Sequence, residues 1–306
     1  MNIAIYNHQG GGGIVQAGKY LNDYLNNYHK SELILWDHYG DPTEFFINRI
    51  KNKSIDRIII HDFNKFDIKK FKQNFNIPTF YFVPGKLTYN NPDIYNYYDY
   101  TLCPSETFYP DNWSVKAPHI KWTFDIKKPE KLKPFSKRLN RLLYVGRVIS
   151  AKFDPMFLAL ALRSNIKIDI VGSMGEKDSE EEELLFELMK HPNVNYLGSF
   201  DHEDMLEIYQ QYKYYILPSN DDIFSLSALE AIYNGCLPFV KRRHILDYPW
   251  FVDSTKKFYN NEDLIGSILQ TLSIPDKIND EICNFHRESV LSKMSMLSDI
   301  NIINNL

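Results

Sequence analysis

Leu217-Pro218-Ser219-Asn220-Asp221-Asp222-Ile223-Phe224-Ser225-Leu226-Ser227-Ala228-Leu229-Glu230-Ala231-Ile232-Tyr233-Asn234-Gly235-Cys236-Leu237-Pro238-Phe239-Val240 reads as the end of a strand, a loop, a helix stopped by glycine, and a second strand. Tyr214, Tyr215, Ile216 and Leu217 form a β-rich run closed by Pro218, while Leu226, Leu229, Ile232 and Tyr233 recur at helical spacing until Gly235. Leu237 to Val240 then resumes a buried strand. Ser219, Asp221, Asp222 and Ser225 gather at a helix N-terminus, where backbone N–H groups and the helix dipole favour an anion such as phosphate. Asp222 and Glu230 are two carboxylates about two helical turns apart. Carboxylates accept hydrogen bonds from vicinal hydroxyls, so one suits a ribose and the other a hexose. Taken singly, Asp222 reads as an N-cap and Glu230 as an exposed helix charge.

Upstream, Leu142-Leu143-Tyr144-Val145 is a strand ending in Gly146-Arg147, and Lys152 follows five residues after the arginine. Two cations on the loop after a strand suit a diphosphate, because Arg pairs two oxygens at once and Lys adds a point charge. Lys167 to Val171 and Val194 to Leu197 read as strands ended by Gly172 and Gly198. Between them lies an acidic helix from Ser179 to Lys190, whose Glu180 to Glu183 read as a solvated helix start favoured by the dipole. Met205 to Tyr212, Leu264 to Leu272 and Ile282 to Leu297 are helical, and Lys241-Arg242-Arg243-His244 reads as a basic surface turn.

The first half opens with a strand, Asn2 to Tyr6, then four glycines, Gly10 to Gly13, and a helix with Ile14, Ala17, Gly18, Leu21, Leu25 and Tyr28 on one face. A Gly-rich turn lets backbone approach a ligand closely, although the spacing is not the dinucleotide-binding fingerprint. Leu33 to Trp36, Arg57 to Ile60, Thr79 to Val83 and Tyr98 to Cys103 read as strands, with helical stretches at Phe45 to Ile50 and Ile68 to Phe75. Such alternation implies a parallel sheet with ligands at the strands' C-terminal ends. That rim holds His61-Asp62 and Pro84-Gly85-Lys86. His119 reads as structural, and the Lys- and Pro-rich stretch 127–138 as a linker.

With 306 residues the chain is long enough for two cores, and its 44% hydrophobic fraction is that of a globular protein. The net charge of -4 is mild but uneven: Lys116 to Lys152 carries eleven Lys or Arg against Asp125 and Glu130. Such a belt attracts phosphate, membrane or nucleic acid, or is simply a solvated face. Cys103, Cys236 and Cys283 lack metal-ligand spacing and read as small buried hydrophobes in a reducing compartment. Met1 to Tyr6 runs directly into a strand without a leader pattern, and nowhere do eighteen apolar residues run together. The expectation is a cytoplasmic protein without a transmembrane segment, with peripheral membrane attachment as an alternative.

Together these clusters resemble the signature of retaining glycosyltransferases of family 4: Gly-Arg, four residues and Lys, then Pro-Ser, an acid, Phe-Gly, Glu-Ala, Gly and Pro. Gly146-Arg147, Lys152, Pro218-Ser219, Asp222, Phe224-Ser225, Glu230-Ala231, Gly235 and Pro238 occupy those places. The departures are Asp222 for Glu, Ser225 and Phe153 for Gly, and Pro84 where the family places a His near the reacting sugar, a polar contact that the resemblance leaves to Lys86 or His61.

The resemblance implies an α/β fold of GT-B type, two Rossmann-like domains with parallel sheets facing across a cleft. Residues 1–126 would form the acceptor-side domain, 127–138 the linker, 139–280 the nucleotide-sugar domain, and 281–306 a C-terminal helix crossing back. It implies retaining transfer of a sugar from a nucleotide-sugar donor, UDP by default, to a hydroxyl of a glycan or lipid-linked glycan. Arg147 and Lys152 would hold the pyrophosphate, Asp222 the sugar hydroxyls and Glu230 the ribose. Gly146, Phe224, Ser225, Leu226 and Ser227 would line the donor, Tyr196 and Leu197 the base, and Gly11, Gly12 and Gly13 the first loop over the cleft. No Asp-x-Asp metal motif is in a plausible place, so neither a metal nor a cofactor beyond the donor is expected. Two alternatives stand beside this reading: a nucleic-acid acceptor drawn by the basic belt, and a nucleotide-sugar-binding protein without catalysis, motivated by Pro84, Ser225 and Phe153.

Overall fold

The computed structural model describes residues 1–8, 13–37, 39–61, 66–82, 97–103, 119–121, 129–219, 225–241, 257–258 and 260–297. The chain divides into two compact units, Met1–Asp125 with Met294–Leu306, and Ile126–Lys293.

In the first unit, β1 (Asn2–His8), α1 (Gly13–Asn26), β2 (Lys30–Trp36), α2 (Pro42–Ile50), β3 (Arg57–His61), α3 (Ile68–Asn74), β4 (Thr79–Phe82), β5 (Tyr100–Cys103) and β6 (His119–Lys121) follow in order. The strands form one parallel sheet, β2-β1-β3-β4-β5-β6. Strands of a parallel sheet are covered on both faces, so Ile3, Ala4, Ile5 and Tyr6 are buried in succession, as are Ile58, Ile59 and Ile60. Asp41 starts α2 by accepting from the Thr43 and Glu44 N–H groups, with Pro42 in the first turn, and Asp67 starts α3 by accepting from Lys70 N–H.

The second unit contains β7 (Leu139–Val145), α4 (Pro155–Arg163), β8 (Ile168–Val171), α5 (Glu180–Leu188), β9 (Val194–Gly198), α6 (His202–Gln211), β10 (Tyr212–Leu217), α7 (Leu226–Tyr233), β11 (Leu237–Lys241), β12 (Lys257–Phe258), α8 (Asn261–Leu272) and α9 (Asp276–Leu297), whose last residues group with the first unit. Its sheet is again parallel, β12-β11-β10-β7-β8-β9. Leu142, Tyr144, Ile168, Ile170, Tyr214, Ile216 and Phe239 from the strands pack with Phe153, Phe157, Leu185 and Ile268 in its core.

Three features depart from the sequence reading. The end of the expected linker is packed structure: Phe135 is buried, and the Arg138 guanidinium donates to the carbonyls of Asn234 (2.8 Å), Gly235 (2.6 Å) and Lys133. Lys241, expected on a surface turn, is instead paired with Asp154 at 2.6 Å, both side chains largely buried, and Asn261 donates to the same carboxylate. Helix α4 was hidden because Met156 to Leu162 is apolar all round and shows no polar face to mark its period. Cys236 and Cys283 are buried thiols that donate to backbone carbonyls, and burial pushes the Cys283 thiol up to about 12. The Cys103 side chain lies outside the described residues.

Candidate functional site

In the second sheet β7, β8 and β9 run out to one side and β10, β11 and β12 to the other, so the chain reverses its winding between β7 and β10. In open α/β sheets ligands bind at the carboxyl ends of the strands flanking such a reversal. Both sequence clusters occupy that place. Gly146, Arg147 and Lys152 lie on the loop after β7, and Pro218, Ser219 and Ser225 after β10. The loops are joined directly, because the buried Ser219 hydroxyl donates to the Ala151 carbonyl at 3.2 Å.

The loop after β7 is held from several sides. The Tyr144 hydroxyl donates to the Arg147 carbonyl at 2.8 Å, and the N–H groups of Lys152 and Phe153 both donate to the Ile149 carbonyl. Glu182 accepts from the Ser150 N–H at 3.0 Å and from its hydroxyl at 2.8 Å, contacts that hold this carboxyl below its usual range. Phe153, which stands in place of the family's glycine, is fully buried with its ring 4.4 Å from that of Tyr144. It serves as core beneath the loop and does not enter the site. Gly146 is required by close approach, since a Cβ there would lie 2.8 Å from the Tyr144 hydroxyl. Arg147 is exposed, and among the described residues no carboxylate pairs with it; Lys152 is half-buried.

Helix α7 starts at Ser225, whose hydroxyl accepts from the Ala228 N–H at 3.2 Å, so the cap is Ser225 and not Asp222. Its Oγ is 3.0 Å from that of Ser227, itself 2.8 Å from the Tyr215 hydroxyl. Leu226 is buried and offers a ligand only its backbone. Asp222 and Phe224 lie outside the described residues.

Glu230 is not an exposed helix charge. It is 5% exposed, its Oε2 accepts from the Tyr209 hydroxyl at 3.0 Å, and its Oε1 is 3.8 Å from His202 Nδ1. Burial first, and then the Glu230 charge, push the Tyr209 phenol well above its ordinary range. Neither Tyr209 nor His202 stood out in sequence; the helical face of α6 pointed only to packing.

The ends of β7, β8 and β9 are stitched together at the same edge. Gly146 N–H donates to Val171 O at 3.0 Å, Gly172 N–H to Gly198 O at 2.9 Å, and the Tyr196 hydroxyl to Gly172 O at 2.8 Å. Gly172 has φ +144°, and a Cβ there would meet Gly146 O at 1.8 Å. Tyr196 keeps 41% of its surface exposed, while Leu197 is half-buried.

In the first unit the sheet winding reverses between β1 and β3, where Asn7 is in register with His61. His61 closes β3 as expected but is fully buried, its ring perpendicular to Phe82 at 4.5 Å. Gly13 is the first residue of α1; Gly11, Gly12, Pro84 and Lys86 lie outside the described residues. Among the described residues of the basic belt, Arg138 is buried, Arg141 donates to Asp169 at 2.6 Å and Lys133 to the Gln211 side chain, while Lys131, Lys137 and Arg147 are exposed; Lys116, Lys127 and Lys128 and the side chain of Lys121 lie outside the described residues. Among the described residues no group of three His, Cys, Asp or Glu side chains is disposed to hold a metal, and no helix is long and apolar enough to cross a membrane.

Residues 125–245 match the family model of glycosyl transferases group 1. No curated protein sequence matches the chain. Among solved structures, a mutant of S. aureus TarM in complex with fondaparinux, alpha-GlcNAc-glycerol and UDP superposes with TM-score 0.65 at 14% identity, covering 86% of this chain and 58% of that one. The chain therefore spans little more than half of TarM. Sucrose-phosphate synthase from Thermosynechococcus elongatus gives TM-score 0.70 at 13% identity, with 97% and 96% of the two chains covered. The lipopolysaccharide outer core galactosyltransferase WaaB gives 0.61 at 16% identity, with 100% and 98% covered. Identities this low speak to the fold, and the fold is GT-B. Residues 125–245 are thus similar to the group 1 glycosyl transferases, within a chain whose fold is GT-B.

Proposed function

We propose that the protein transfers a glycosyl group from a nucleotide-diphosphate sugar, a UDP-sugar by default, to a hydroxyl of a glycan or lipid-linked glycan, with retention at the anomeric carbon. The observation that carries this reading is the junction of the Arg147–Lys152 loop with the loop before α7, fastened by Ser219 at the winding reversal of the second sheet. Support for UDP comes from the TarM complex, which holds that nucleotide.

Breaking the bond between the anomeric carbon and the diphosphate puts negative charge on the leaving group and oxocarbenium character on the sugar. Arg147, Lys152 and the first amides of α7 stabilise the former. Asp222 holds sugar hydroxyls, and Glu230, oriented by Tyr209, takes the ribose. The acceptor oxygen bonds to the anomeric carbon on the face the diphosphate leaves, and its proton passes to the departing phosphate oxygen. Residues 1–126 serve the acceptor, and no metal is assigned a role. Lys133, Arg138 and Arg141 are engaged internally, so among the described residues the belt gives no support to a nucleic-acid acceptor.

Nucleotide release from a panel of UDP-, GDP- and ADP-sugars tests the reading. Release from one donor, accelerated by a glycan or lipid-linked acceptor, is expected. Absence of turnover with every donor and acceptor, despite nucleotide binding, would leave a binding protein instead.

A further inference from the structure

Four acids, Glu180 to Glu183, open α5, and only Glu182 among them is half-buried. Ser179 caps the helix by accepting from the Glu182 N–H at 3.2 Å, the Ser-x-x-Glu spacing of a capping box. In that motif the acid turns back to the N–H of the cap residue. Glu182 does otherwise. Its Oε2 meets the Ser179 hydroxyl, and its Oε1 reaches a residue 32 positions earlier, accepting from both the N–H and the hydroxyl of Ser150. Ser150 lies between Arg147 and Lys152.

We propose that Glu182 is a positioning residue for the donor diphosphate, latching the loop that presents Arg147 and Lys152; the proposal rests on the diphosphate reading of that loop. Three side chains from three places grip the loop: Tyr144 at the Arg147 carbonyl, Glu182 at Ser150 and Ser219 at the Ala151 carbonyl. Of these, only Glu182 is charged. Accepting two hydrogen bonds from one residue fixes Ser150 in backbone and side chain together, so the loop is ordered on folding and not on donor binding. A bare carboxylate near a bound diphosphate repels it. Glu182 therefore has two opposed effects, through charge and through loop order, and they predict opposite signs on its removal.

Calorimetric titration of UDP into the full chain and its Glu182→Ala, Glu182→Gln, Arg147→Ala and Glu182→Ala/Arg147→Ala variants separates them. Glu182→Ala is expected to weaken UDP about tenfold, the equivalent of one charge-assisted hydrogen bond. Glu182→Gln keeps an acceptor oxygen for Ser150 and is expected to stay within about threefold of the native chain. In the Arg147→Ala background, where the loop has lost its main ligand, Glu182→Ala should have a smaller effect. Unchanged or tighter UDP binding by Glu182→Ala overturns the latch, as does Glu182→Gln weakening binding as much as Glu182→Ala. If Glu182→Ala fails to fold, Ser150→Ala replaces it, with weakening of about threefold expected and none overturning the latch. Native-like UDP affinity in Arg147→Ala would instead remove the diphosphate reading itself, a separate failure.

Discussion

Ser219 donates its hydroxyl to the carbonyl oxygen of Ala151 across 3.2 Å, tying two loops whose residues are 68 positions apart. The bond crosses the line where the sheet reverses its winding, so the cationic loop and the α7 loop are held as one surface. Ser219→Ala should weaken UDP binding by about 0.5 to 1.5 kcal/mol, the net worth of a neutral hydrogen bond. Calorimetry with UDP checks this, and unchanged affinity would mean that the loops keep their places without the bond.

Tyr209 and Glu230 form a second buried pair, at 3.0 Å. Tyr209→Phe leaves the carboxylate without one of its donors and should cost about 1.5 to 3 kcal/mol of stability in urea unfolding. It should also raise the donor KM more than it lowers kcat, because a ribose contact is made in the ground state and the transition state alike. A fall in kcat with KM unchanged would detach Glu230 from ribose.

The pair of Asp154 and Lys241 ties the start of α4 to the end of β11. Burial raises the Asp154 pKa, but the Lys241 ammonium, the Asn261 amide and the Met156 N–H together bring it below its ordinary 3.8. A carboxyl depressed in the fold adds stability above its unfolded pKa, and that part is lost as pH falls through the folded value. Asp154→Asn should therefore be less stable than the native chain by about 3 kcal/mol at pH 7, with the gap closing as pH falls below the ordinary carboxylate range and through the depressed folded value. Urea midpoints across that range give the answer; a gap independent of pH would contradict the assignment.

Gly172 and Gly198 separate lack of space from backbone strain. Both have positive φ, but a Cβ at Gly172 would strike Gly146 O at 1.8 Å, while at Gly198 nothing lies within 4 Å. Gly198→Ala should cost about 1 to 2 kcal/mol through φ alone. Gly172→Ala should cost clearly more, because backbone must move at the root of the Arg147 loop. Equal losses in thermal unfolding would mean that β7 and β8 yield easily.

Much of the α/β architecture was legible from apolar runs punctuated by Gly and Pro, as in Tyr214 to Leu217 and Leu237 to Val240. β6 and β12 were not, because segments of three and two residues carry no period to read. At the site, Ser225 was legible as one of the polar residues at a helix N-terminus and as a departure from glycine, but Asp222 was read as the cap; the structure gives that place to Ser225. The supporting shell was opaque for one reason: Glu182, Lys241 and Tyr209 owe their roles to partners 32, 87 and 21 positions away. A local pattern shows each as a surface charge or a packed ring, and only the fold brings the partner.

The central claim is that Arg147 and Lys152 hold the diphosphate of a nucleotide donor. Calorimetric titration of UDP into the native chain and an Arg147→Ala/Lys152→Ala variant tests it most directly. Loss of two charge-assisted contacts should weaken UDP by at least about 3 kcal/mol, more than a hundredfold, while uridine, lacking the phosphates, binds both chains alike. Equal UDP affinity for the two chains would contradict the claim.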